Sequence, residues 1–101
     1  MKYLHTMIRV LDLDAALDFF VNKLGLIEVR RKDSEKGRFT LVFLASPEDP
    51  EGPMLELTHN WGEENAYSVG RNFGHVAYAV DDIYALCEKF CAEDESASTV
   101  R

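Results

Sequence analysis

The feature that most constrains this chain is a repeat inside it. Shifted by 70 positions, His5 falls on His75, Val10 on Val80, Asp12 on Asp82, Ala15 on Ala85 and Phe20 on Phe90. At the same offset Leu13 meets Ile83, Leu17 meets Cys87 and Asp18 meets Glu88. The matching positions have distinct jobs: a strand histidine, a helix cap and an inward aromatic. Self-similarity over a strand and a capped helix implies two copies of one supersecondary unit. A chain of 101 residues holds one core and not two. We therefore expect a single α+β domain over residues 1–101, with a first module at 1–62 and a partial second module at 71–101.

The pattern of side chains supplies the elements. Residues 3–10 alternate as a strand. Asp12 is placed to cap a helix whose inner face carries Leu13, Leu17, Phe20, Val21 and Leu24, and Gly25 ends it. Residues 26–31 are strand-like, and the charged stretch Lys32–Gly37 is expected to turn. Phe39–Ala45 is apolar on both faces, so it is expected at the centre of a sheet. Ser46–Pro53 is a loop and Met54–His59 a further strand, with His59 itself read as a loop residue after the strand and given no chemistry. Phe73–Val80 is expected as the first strand of the second module. Asp82 then opens a helix with Ile83, Cys87, Phe90 and Cys91 inward. The order is β-α-β-β-β, then β-α.

Composition excludes several functions. The formal net charge is -7 and no basic stripe is present, which argues against nucleic acid as a partner. No apolar run is long enough to span a membrane. Cys87 and Cys91 lie one helical turn apart, a poor frame for a disulfide and suited to a reducing cytoplasm.

Alternation then gathers the polar residues. Tyr3, His5, Met7 and Arg9 share one side of the first strand, and Glu56 points away from Leu55 and Leu57. His75 shares its side with Ala77 and Ala79, whose small side chains leave space. Two imidazoles and a carboxylate suit a borderline divalent ion such as Ni, Co, Fe, Mn or Zn. Taken singly, each residue has a plainer role. A strand histidine is more often a hydrogen-bonded structural residue, and Glu56 or Arg9 more often stands in solvent. The cysteines fall on an apolar face and are more often core. The repeat raises the two histidines above that level, because equivalent strands bring equivalent side chains to one cleft.

Three separated motifs carry a resemblance. Leu4-His5-Thr6-Met7-Ile8-Arg9-Val10 is similar to the opening strand of the lactoylglutathione lyases (glyoxalase I) of the vicinal-oxygen-chelate superfamily. Leu55-Glu56-Leu57-Thr58-His59-Asn60-Trp61-Gly62 resembles that family's fourth strand and following loop. Arg71 followed by Gly74-His75-Val76-Ala77 resembles the start of its second module. The resemblance runs from Met1 to about Phe90, in family order, and implies the glyoxalase fold.

The resemblance also implies a chemistry. Glutathione and methylglyoxal form a hemithioacetal, which the family isomerises to S-D-lactoylglutathione, a detoxifying step. By position, His5, Glu56 and His75 are implied metal ligands, and Glu56 is the implied catalytic carboxylate. Arg9, Asn60 and Arg71 match residues that hold glutathione, where guanidinium forks suit carboxylates. The short Ser46–Pro53 loop resembles the nickel/cobalt class, with zinc as the other option. A cytoplasmic homodimer with sites at its interface is implied as well. The family pattern continues past the second helix into three more strands, the last bearing a further glutamate, the fourth metal ligand and usual catalytic base. Ser98–Arg101 is at best the beginning of the first of these. The expectation for a chain ending at Arg101 is metal binding with weak turnover. Two other classes remain in view: a non-catalytic metal- or ligand-binding protein of the same superfold, and a ring-cleaving dioxygenase. Arg9, Asn60 and Arg71 argue against the dioxygenase.

Overall fold

The structure is a computed structural model that describes residues 1–93, with the side chain of Glu93 outside the description. Ser98–Arg101 therefore lies outside the described residues. The chain divides into two compact units, Met1–Ser68 and a second beginning at Val69.

The first unit is a four-stranded sheet covered by one helical segment. Strand β1 (His5–Arg9) leads to helix α1 (Leu13–Leu17), which continues as a π-helical stretch, Asp18–Lys23. Strands β2 (Ile27–Ser34), β3 (Phe39–Ala45) and β4 (Met54–Asn60) follow. The sheet order is β1-β4-β3-β2, with β1 parallel to β4 and the other pairs antiparallel. The antiparallel pairs need only short turns. The parallel pair needs a crossover, and the helical segment is part of it.

The start and stop of that segment follow the sequence closely. The Asp12 carboxylate accepts the Ala15 N–H at 3.0 Å, satisfying a donor that the helix itself leaves open. Gly25 sits at φ 92°, a left-handed conformation that glycine adopts without a Cβ clash. There its N–H reaches the Val21 carbonyl at 3.2 Å, and the Leu26 N–H reaches that of Phe20 at 2.9 Å. All five side chains expected on the inner face, with Ala16 beside them, pack on a core of Leu26, Val42, Leu44, Leu55 and Leu57. Val42, Leu44 and Leu57 are completely buried, each worth about 1.5–3 kcal/mol of transfer free energy.

As expected, β3 is an interior strand, paired on both sides. The charged stretch after residue 31 is not a turn. Strand β2 runs on to Ser34, with Lys32 opposite Leu41 and Asp33 opposite Thr40. Edge strands tolerate charge, and charge on them discourages pairing with other chains. The turn waits for residues 35–38, where Arg38 takes a positive φ of 56°.

The second unit departs further from expectation. Residues 73–80 form no strand among the described residues, and all are exposed. Alternation marks out two faces, but a strand needs a neighbour to take its N–H and C=O groups, and no pairing to this segment is present in the described sheet. Helix α2 (Ile83–Glu93) does form. Its start repeats that of α1: Asp82 accepts the Ala85 N–H at 3.1 Å, as Asp12 accepts that of Ala15. The backbone bond Leu86 N–H to Asp82 matches Ala16 N–H to Asp12 at the same 70-position offset. The inward set differs from expectation, however. Phe90 is buried and Cys87 half-buried, whereas Ile83 and Cys91 are exposed. The half-buried Leu86 takes a place beside Cys87.

Candidate active site on the open face of the sheet

The helical segment covers one face of the sheet, and the polar residues collect on the other. Strand register places Met7 opposite Glu56, Glu56 opposite Phe43, and Phe43 opposite Arg30. That row crosses all four strands on the face away from the core leucines. The last step depends on an irregularity between Glu28 and Arg30, where Val29 is left unpaired. A bulge of this kind re-aims the next side chain. Here it brings Arg30 over the Phe43 ring, 4.1 Å from guanidinium carbon to centroid.

His5 joins the row beside Glu56. Its Nε2 lies 3.1 Å from Glu56 Oε1. The other carboxylate oxygen, Oε2, accepts the Thr58 hydroxyl at 3.0 Å. The His5 ring meets Phe43 edge-on, with centroids 5.5 Å apart and planes at 79°. A buried carboxylate is costly unless it is paired and hydrogen-bonded, and Glu56, 9% exposed, is both.

The remaining candidates divide between the units. Arg9 is exposed at the end of β1, opposite Thr58. Asn60 closes β4 on the same face as Glu56 and Thr58, its amide donating to the Tyr67 hydroxyl at 3.1 Å. Arg71 and His75 belong to the second unit and are exposed there. Among the described residues no three His, Cys, Asp or Glu side chains gather as a metal site. His5 and Glu56 come together; His75 is not part of a gathered set.

The pair that does form suits a divalent ion. Adjacent nitrogen and oxygen ligands at about 2.0–2.2 Å from a metal stand about 3–3.4 Å apart, and the His5–Glu56 separation is 3.1 Å. The same two atoms stand within ion-pair distance without a metal, the imidazole carrying charge only when protonated.

Two features were not legible beforehand. Thr58 attracts no notice in the sequence, although its position two residues from Glu56 on a strand gives it the same face. His59 lies inside β4 and not in the loop, opposite Thr40 and on the side of Leu55 and Leu57. Its Nδ1 is buried with no hydrogen-bond partner among the described residues. The loop after β4 is tied from that side too. Trp61 Nε1 donates to Thr40 Oγ1 at 2.9 Å, and Thr40 donates to Asp33 at 2.6 Å.

The chain is similar in sequence and in fold to known proteins. The model of the Glyoxalase/Bleomycin resistance protein/Dioxygenase superfamily matches residues 2–97. A probable lactoylglutathione lyase of Synechocystis is 46% identical over the whole chain, which spans 75% of that relative. A lactoylglutathione lyase of Neisseria meningitidis is 48% identical over 88% of the chain, which spans 64% of that relative. Among solved structures, the trypanothione-dependent glyoxalase I of Leishmania major superposes with a TM-score of 0.83 at 35% identity, covering 92% of this chain and 66% of its own. Glyoxalase I from Zea mays gives 0.81 at 34% identity, covering 91% of this chain and 32% of its own. With fold, order of elements and identity in agreement, the chain belongs to the glyoxalase superfamily, in its lactoylglutathione lyase branch.

Proposed function

We propose that this chain acts as a lactoylglutathione lyase, isomerising the hemithioacetal of methylglyoxal and glutathione to S-D-lactoylglutathione. The observation that carries the reading is the His5–Glu56 pair, 3.1 Å apart on the open face of the sheet, in a chain whose relatives bear that name. His5, Glu56 and His75 are the residues we assign to a divalent ion, nickel or cobalt by preference and zinc as the other option. Such an ion supplies Lewis acidity to the carbonyl and hydroxyl oxygens of the substrate.

The chain's own residues do the rest. Glu56 takes the proton from the carbon bearing the hydroxyl and returns it to the neighbouring carbon, as base and then as acid. Arg9 and Asn60 stand at one end of the same face, where a guanidinium and an amide suit the carboxylates of glutathione; Arg71 joins them in this assignment. With a net charge of -7, the chain as a whole repels an anionic substrate, so these local groups must attract it. The working form we propose is a cytoplasmic homodimer with sites at its interface. No helix among the described residues is long and apolar enough to cross a membrane.

The test is thioester formation in metal-supplemented protein, for wild type and Glu56→Gln. Loss of a positioned base lowers rate by about 10²–10⁴-fold. Equal rates in the two proteins refute the role of Glu56. Metal uptake with no thioester in wild type favours a non-catalytic binding protein on the same fold.

A further inference from the structure

We infer that Thr58 is a positioning residue that selects which oxygen of Glu56 is presented to the metal and to the substrate. The inference rests on the assignment of Glu56 proposed above.

The Glu56 carboxylate has two oxygens and they are treated differently. Oε2 receives the Thr58 hydroxyl at 3.0 Å in a buried bond, while Oε1 faces His5 Nε2 at 3.1 Å. The last torsion of a glutamate joins sp³ and sp² carbons and has a broad, nearly two-fold profile. Left alone, the carboxylate turns and its oxygens exchange. The Thr58 hydroxyl removes that freedom from one side, because it donates to one oxygen only.

Thr58 is itself well held. It is 8% exposed, its β-branched side chain has few rotamers, and it lies in β4 between β1 and β3, opposite Arg9 and Leu41. Strand geometry puts residues 56 and 58 on one face at a fixed spacing, so the donor cannot drift from the acceptor. A ligand whose second oxygen is hydrogen-bonded offers one oxygen in one direction. Groups that orient a metal ligand in this way typically account for 10–100-fold in metal affinity.

The register adds a second consequence. Thr58 stands between Glu56 and Asn60 along β4 and across from Arg9 on β1. The residue that orients the carboxylate is thus also a neighbour of the groups assigned to glutathione. A shift of Thr58 is felt at both.

The experiment uses the whole chain and cobalt(II) alone, in competition with a chelator, with the visible absorption of bound cobalt as a second readout. Thr58→Val keeps shape and β-branching and removes the hydroxyl; Thr58→Ser keeps the hydroxyl. Thr58→Val should bind cobalt about 10–100-fold more weakly, with an altered absorption envelope, and Thr58→Ser should stay close to wild type in both. Thr58→Ala provides the same comparison should valine pack poorly, and thermal unfolding of the metal-free proteins registers any purely structural effect. Wild-type affinity and spectrum in Thr58→Val overturn the inference while leaving Glu56 a ligand. Equal loss in the serine and valine variants assigns the effect to packing and overturns it too. Absence of cobalt uptake by wild type, or equal uptake by wild type and Glu56→Gln, overturns both this inference and the assignment beneath it.

Discussion

The His5 and Phe43 rings meet in a T-shape, with the ring centroids 5.5 Å apart and the planes at 79°. Phe43 in turn lies under Arg30. One aromatic side chain therefore links a charged edge strand to the histidine paired with Glu56. Phe43 is 4% exposed, so Phe43→Ala should destabilise the fold by about 3–5 kcal/mol. Chemical denaturation reads this directly. Cobalt uptake by the folded fraction should fall as well, since His5 loses the surface that orients it; a variant with normal uptake leaves Phe43 with a packing role only.

The Asp12 cap has a measurable value. Its carboxylate accepts a backbone N–H that has no other partner within the helix. Asp12→Ala should cost about 0.5–2 kcal/mol, and Asp12→Asn should restore most of it. Denaturation midpoints of the two variants decide the matter.

Behind the site, Trp61 is the only tryptophan of the chain, and its Nε1–H reaches Thr40 Oγ1 at 2.9 Å. Trp61→Phe keeps an aromatic ring and deletes this donor. A loss of about 0.5–1.5 kcal/mol is expected from the hydrogen bond. The variant has no tryptophan emission, so circular dichroism is the appropriate signal. A loss of several times that size means the larger ring itself is needed for packing.

Arg9 and His75 should give opposite patterns. Arg9→Ala should weaken binding of an S-substituted glutathione by about 1.5–3 kcal/mol, the range for a charge-assisted contact, and leave metal uptake unchanged. His75→Ala should weaken metal uptake strongly. Calorimetric titrations with each ligand separate the two. Unchanged uptake by His75→Ala removes it from the ligand set.

The amino-acid sequence by itself determined the local signals. Asp12 and Gly25 bound the first helical segment, its five apolar positions make one face, and the apolar run at 39–45 requires an interior strand. These are short-range matters: a cap, a left-handed glycine and a periodicity each act within a few residues. Alternation also assigned His5 and Glu56 to polar faces of their strands. It did not make them neighbours. That depends on β1 lying parallel beside β4 in a set register, a pairing of segments about 50 residues apart in the chain, and face parity carries no information about which strand stands next to which. The same holds for the bulge that puts Arg30 opposite Phe43 and for the continuation of β2 through a charged stretch, both decided by the ladder with β3. Residues 73–80 show the converse. Their alternation is as regular as that of β1, yet β1 is a strand because β4 receives its hydrogen bonds, and among the described residues no segment does so for 73–80.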